Sequence, residues 1–253
     1  MSGHSKWANI KHRKGAQDAK RGKIFTRIIK ELSVAVKEGG DDVSSNPRLR
    51  SAIQNAKSVN MPKDTVERAI KKASGADADT YLELTYEGYG PFGIAIFIEC
   101  TTDNINRTVA DIRAIFNKTG GELGKNGSLE FLFTRKGFFN IKLESISIDM
   151  EEFEIELIDF GLEDMEKDNE TCIISCQFEY FGSMQEQLHK LGIETESSSI
   201  QRVPNDLKCL DLESSIKIMN TIDKFEDNDD VQQVFHNLEI TEELIIELNK
   251  DNG

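Results

Sequence analysis

Apolar positions in the first third of the chain recur at helical spacing. Ile24, Phe25, Ile28, Ile29, Leu32, Ala35 and Val36 fill one broad sector at about 100° per residue, and Gly39-Gly40 closes the segment. Asn46-Pro47 supplies an N-cap with Pro at the first helical position. Leu49, Ala52, Ile53, Ala56 and Val59 form the apolar face of that second helix. Met61-Pro62 opens a third, with Val66, Ala69, Ile70 and Ala73 inward and Gly75 at its end. Residues 23–78 therefore predict a small three-helix domain.

From residue 79 the pattern alternates strands with helices. Residues 81–86 alternate weakly and lead into the turn cluster Glu87-Gly88-Tyr89-Gly90-Pro91. A buried strand is predicted at 94–100, a helix at 104–118 ended by Gly120-Gly121, and a strand at 129–133. Next come a strand at 138–143, a helix at 150–160, a weak strand at 162–166, a strand at 172–176, a helix at 184–191 and a strand at 194–203. A short strand at 207–210, a helix at 212–225, a strand at 231–235 and an acidic helix at 242–248 complete the series.

That order has a topological meaning. Residues 137–203 spell β-α-β-β-α-β, a ferredoxin-like unit. Residues 93–134 and 206–236 each spell β-α-β, and joined together they complete a second such sandwich. The expected fold class is α+β: an N-terminal three-helix domain plus two ferredoxin-like α/β sandwich domains, one inserted in the other. The expected boundaries are a basic arm at 1–22, the helical domain at 23–78, a discontinuous domain at 79–135 plus 204–238, the inserted domain at 136–203, and an acidic C-terminal extension at 239–253. Separate sheets for 94–134 and 206–236 would contradict this scheme.

Charge changes the picture. The 253-residue chain carries a net −14, but unevenly. Residues 1–75 hold 17 Lys/Arg against 7 Asp/Glu, and the remainder holds 14 against 38. Within the first thirty residues nine cations face one acid, Asp18. Such asymmetry marks an interaction head on an acidic body that repels phosphate elsewhere. The arm places Lys6, Lys11, Arg13 and Lys14 beside Trp7, Asn9, His4 and His12. Cations meet phosphates, while planar and hydrogen-bonding groups meet bases and sugars. Alternatively, Trp7 anchors the arm on the helical domain and the cations are solvated. On the first helix, Lys20, Lys23, Arg27 and Lys30 fall opposite the apolar sector, as an outward cationic stripe. Arg48, Arg50, Lys57, Lys71 and Lys72 extend that patch.

A second candidate group lies at a strand-to-helix junction, in Thr101-Thr102-Asp103-Asn104-Ile105-Asn106-Arg107-Thr108. Asp103, Asn104, Asn106 and Arg107 suit a ligand or RNA contact facing a cleft between domains. They equally suit a helix cap and a local ion pair.

Other chemistry is thin. The Gly-rich 120–127 lacks the Lys-Ser/Thr of a phosphate loop and reads as a flexible loop. Four dispersed His and no nucleophile-base pairing predict a non-enzyme with no catalytic residues, no metal and no cofactor. Cys172 and Cys176 share a predicted strand, where four residues span about 13 Å, too far to bridge. Buried thiols in a reducing compartment follow. No apolar run approaches the roughly 18 residues of a membrane span. The basic start lacks the apolar core of a secretory leader, and its Trp, two His and scarcity of Ser are unlike a mitochondrial presequence. A cytoplasmic compartment and no membrane partner are expected, with a monomer favoured.

Five stretches resemble the YebC family: Gly3-His4-Ser5-Lys6-Trp7 through Lys30, Asn60-Met61-Pro62-Lys63-Asp64, Tyr86-Glu87-Gly88-Tyr89-Gly90-Pro91, Thr102 through Thr108, and Gly120-Gly121-Glu122-Leu123-Gly124. The similarity runs to about residue 238. Its C-terminal third rests more on pattern, although Val231 through Asn237 is similar to the family's ending. The resemblance implies a helical head and two ferredoxin-like units around a cavity. It also implies a regulator of gene expression. Members are usually described as DNA-binding transcriptional regulators. A mitochondrial branch activates translation, and bacterial relatives are linked to ribosomes and proline-rich nascent chains. The expected partner is thus DNA, or ribosomal RNA and the ribosome. The expected contacts are Lys6, Trp7, Lys11, His12, Arg13, Lys14, Lys20, Lys23, Arg27 and Lys30.

Overall fold

The computed structural model describes residues 18–76, 78–168 and 170–250. They form two compact units. One holds the described residues up to Arg27, then Thr80–Thr134 and the chain from Val203. The other holds Ile28–Asp79 and Arg135–Arg202.

Helix α1 spans Asp18–Gly39, α2 Pro47–Ser58 and α3 Lys63–Ala73. The predicted helical head is present. However, α1 begins five residues before the expected edge of the arm, so residues 18–22 are helix. One side chain fixes the turn from α1 into α2. Asn46 accepts from Leu49 N at 3.0 Å as the N-cap of α2. Its amide donates to the carbonyls of Ala35 and Gly40, both at 2.7 Å. Helix ends leave such groups orphaned, and a 3 % exposed Asn satisfies them from both sides of the turn. Arg48 adds ion pairs to Glu31 and Glu38 of α1.

The first sheet is built from β1 (Leu82–Tyr89), β2 (Ala95–Thr102), β3 (Glu122–Leu123) and β8 (Val231–His236), in the order β3-β1-β2-β8. Between these strands run α4 (Ile105–Thr119) and α7 (Leu212–Glu226). The segments 94–134 and 206–236 therefore share one sheet, as expected. Two details differ. The predicted strand at 129–133 is a 3-10 turn at Glu130–Leu132, and residues 207–210 make only an isolated bridge, Lys208 to Leu238. Their places are taken by the full-length β1, paired antiparallel with β2, and by the short β3. The sheet keeps a ferredoxin-like plan with one strand supplied from the N-terminal side.

Tight packing explains the glycines of this sheet. A Cβ at Gly88 would meet Glu122 O and lie 2.8 Å from Phe116 Cζ, and one at Gly90 would lie 2.7 Å from Ile96 Cδ1. On one face of the sheet Ile96 and Ile98 pack with Ile112 and Phe116 of α4 and Ile218 and Phe225 of α7, all buried. The other carries Phe97, Leu129, Phe133 and Phe235. Helix α8 (Glu242–Lys250) follows the last strand. This is the acidic helix expected at 242–248, and Leu244 is fully buried in the first core with Ile240.

The inserted unit reads β4 (Phe133–Lys142), α5 (Met150–Ile158), β5 (Leu162–Lys167), β6 (Thr171–Gln177), α6 (Phe181–Lys190) and β7 (Thr195–Pro204). Its sheet order is β5-β6-β4-β7, the ferredoxin-like arrangement that its β-α-β-β-α-β order predicts. Phe139, Ile141, Phe153, Leu157, Ile174, Met184 and Leu188 fill its core.

Strand β7 is an edge, and edges need cover. Helix α2 provides it. Asn55 donates to Ser198 O at 2.9 Å and accepts from Ser198 N at 3.0 Å, as a neighbouring strand would. Gln54 donates to Thr195 O, and Gln185 donates to Ser51 Oγ at 2.9 Å. The helical head and the inserted sheet are thus joined in one unit.

Candidate nucleic-acid interface

Lys6, Trp7, Lys11, His12, Arg13 and Lys14 lie outside the described residues, as does the side chain of Lys20. The side chains of Lys23, Arg27 and Lys30 are described, and they do not form an outward stripe. Lys23 Nζ sits 2.6 Å from Asp227 Oδ1 and donates to Asp227 O at 3.1 Å. Arg27 Nη2 donates to Glu226 O at 2.6 Å. Those carbonyls end α7, where backbone acceptors are unpaired and the helix dipole is negative. Burial pushes the Arg27 guanidinium below its usual range, against the opposing pull of Glu226, Asp227 and Asp229. Lys30 is 7 % exposed.

The expected outward orientation is therefore corrected. The second half of α1 is enclosed around more of its circumference than an amphipathic surface helix allows. Val34 is buried there along with Leu32, Ala35 and Val36. Lys23 and Arg27 are both engaged by the acidic end of α7. Sequence reasoning missed that end, although the run Asp227-Asn228-Asp229-Asp230 advertises negative charge. Nothing local signals that it meets residues some 200 positions earlier.

Cations of the helical head are mostly engaged as well. Arg50 donates to the carbonyls of Val43 and Ser44, and Lys72 pairs with Asp79 at 2.6 Å. Lys57 and Lys71 are exposed.

The junction group assembles as a helix cap and an ion-pair cluster. Asn104 caps α4 by accepting from Arg107 N at 3.1 Å. Arg107 forks onto Asp230 through Nε (3.1 Å) and Nη2 (2.8 Å) and reaches Asp103 at 2.7 Å. Hydrogen bonds to Asp230 and then to Asp103 raise the Arg107 pKa further. Asp230, only 4 % exposed at its side chain, also accepts from Thr108 Oγ1 at 2.8 Å. The cluster ties the start of α4 to the approach to β8. Asn106 is exposed and takes no part. Asp230 is the residue that sequence reasoning missed.

The loop 120–127 is ordered by the family-like Glu87. Its carboxylate, 1 % exposed, accepts from Gly127 N at 2.7 Å and Leu129 N at 2.5 Å. Its own carbonyl accepts from Gly124 N at 2.7 Å. Cys100, Cys172 and Cys176 are buried free thiols, and Cys209 is exposed. Among the described residues, no group of three His, Cys, Asp or Glu is placed to hold a metal, and no helix is long and apolar enough to cross a membrane.

A three-helix head followed by two four-stranded α/β modules defines the structural class. The chain belongs to the TACO1/YebC family: the N-terminal domain of that family matches residues 5–76, and its second and third domains match residues 81–238. A protein of Amoebophilus asiaticus named "Probable transcriptional regulatory protein" is 51% identical, over 94% of this chain and 98% of that protein. A protein of Syntrophotalea carbinolica with the same name is 50% identical, over 96% and 97%. The crystal structure of the conserved hypothetical protein Aq1575 from Aquifex aeolicus matches with a TM-score of 0.80 at 40% identity, covering 94% of this chain and 98% of that one.

Proposed function

We propose that this chain is a non-enzymatic, nucleic-acid-binding regulator of gene expression, acting on DNA as a transcriptional regulator. The observation that carries this reading is the charge reversal along the chain: nine cations against one acid in residues 1–30, followed by a strongly acidic remainder. The names of the relatives support a transcriptional role. Lys6, Lys11, Arg13, Lys14 and Lys20 make the phosphate contacts, with Trp7 and His12 available for stacking. Lys23, Arg27 and Lys30 join only if their present environments open. A cytoplasmic monomer fits this reading.

One observation favours a second reading, ribosomal RNA. Base-edge recognition in duplex DNA needs a helix presenting Arg, Asn or Gln to the major groove. Lys23, Arg27 and Lys30 of α1 are paired or buried instead. A Lys-rich segment with Trp and His suits irregular RNA, which is read by stacking and shape. Sucrose-gradient sedimentation beside a DNA titration at physiological salt separates the two. Sequence-selective DNA binding without ribosome co-migration supports transcription. Co-migration with ribosomes and only salt-labile, sequence-blind DNA binding contradicts it.

A further inference from the structure

Helix α5 turns Phe153 and Leu157 into the core of the inserted sheet, and both are fully buried. Its opposite face carries Ile155 and Ile158, 67 % and 57 % exposed. They are three residues apart and so lie side by side on the helix surface. Neither contributes much to the core, and exposed β-branched residues do not favour a helix. A third apolar group lies just past the C-terminal end of α5. Gly161, three residues beyond Ile158, has φ +76, and a Cβ built there would lie 2.6 Å from the ring of Tyr180. Tyr180 therefore packs over the end of α5, and it is itself 41 % exposed.

The segment that carries the two isoleucines is rich in acids. No Lys or Arg occurs between Lys142 and Lys167. At about 100° per residue, Glu151 lies between the two isoleucines, with Glu154 on one flank and Asp159 on the other. All three are exposed. Among the described residues, none of these carboxylates forms an ion pair or side-chain hydrogen bond with the rest of the chain, except that Glu156 at the margin accepts from Gln187 at 3.2 Å. Three exposed apolar side chains rimmed by unneutralised carboxylates form a surface with both shape and sign.

We propose that this face of α5, with Tyr180, docks a Lys/Arg-rich amphipathic helix of a protein partner. The apolar stripe of such a helix covers Ile155, Ile158 and Tyr180, and its flanking cations meet Glu151, Glu154 and Asp159. A nucleic acid is repelled by this face, so the partner site is separate from the basic N-terminal segment and does not depend on what that segment binds.

Fluorescence anisotropy on the full chain tests the proposal, using a labelled helical peptide of about 18 residues with Leu on one face and Lys on the other. We expect saturable binding, weakened at least about tenfold by Ile155→Ser with Ile158→Ser. Glu151→Gln with Glu154→Gln and Asp159→Asn should weaken it similarly and flatten its salt dependence. Ile246→Ser, at another exposed isoleucine (59 %) on the acidic α8, should leave it unchanged. Ile155→Ser alone serves as the milder variant if the pair alters the melting curve. Equal affinity for the isoleucine variants, or for a peptide with every Leu replaced by Ser, overturns the proposal by showing binding through charge alone. A concentration-dependent dimer of the wild type that these same variants dissociate also overturns it, because the face then belongs to a second copy.

Discussion

Asp230 and Glu87 are single buried carboxylates that organise much longer stretches of chain. Asp230 gathers Arg107 and Thr108 at the start of α4, and Glu87 holds the backbone of Gly127 and Leu129. Removing such an acceptor leaves its donors unsatisfied, which costs more than the net worth of the hydrogen bonds. Asp230→Ala should destabilise the chain by about 2–3 kcal/mol in urea unfolding. A loss below about 0.5 kcal/mol would mean that water replaces the carboxylate. The thiols give a second residue-level prediction. Burial pushes Cys172 up to about 11 and Cys176 up to about 12. In both cases the folded value lies above the ordinary 9.0. The stability they confer is therefore complete below pH 9 and is lost as pH rises toward 11–12. At pH 8 a maleimide should label Cys209 first, with Cys100, Cys172 and Cys176 reacting only on unfolding. Local caps at this scale are legible in the sequence: Asn46 and Asn104 both stand where an N-cap is expected. The partners of Lys23 and Arg107 are not, because they lie 204 and 123 positions away.

At the scale of elements, periodicity located every long helix and most strands. It failed where a short apolar run serves a turn. Leu129 through Phe133 looks like a strand, but Leu129 and Phe133 cover a sheet face from a 3-10 turn that Glu87 pins, while Phe131 is 72 % exposed. The opposite error occurs in β4, where Thr134 through Gly137 looks like a break. Pairing of Lys136 and Gly137 with Gln177 and Cys176 carries the strand straight through. A Cβ at Gly137 would lie 2.8 Å from Cys176 Sγ, so that residue is a packing requirement. The acidic helix expected at 242–248 is present as α8, but its charge hides its buried face. Leu244→Ala should cost about 3 kcal/mol, as a filled core position does. Deleting the chain after residue 238 should lower the melting temperature further. An unchanged melting temperature for the deletion would make α8 an ornament on the first core.

For the whole molecule the decisive feature is charge, which the sequence states outright. The structure reassigns it. Of the cations expected along α1, Lys23 and Arg27 bind the end of α7 and Lys30 is enclosed. The proposed contact surface contracts to the cations between Lys6 and Lys20. The helical head is equally committed to the inserted sheet through Asn55 and Ser198, an edge contact that no local pattern signals. One measurement tests the central claim directly: the salt dependence of nucleic-acid affinity for the full chain and for Lys11→Ala with Arg13→Ala and Lys14→Ala. Each lost phosphate contact lowers the slope of log K against log salt by about 0.9 on duplex DNA. Weaker binding, a slope reduced by about 2–3, and an unchanged melting curve are expected. The same affinity and the same slope in the variant would contradict the central claim and place the nucleic-acid contact outside the basic N-terminal segment.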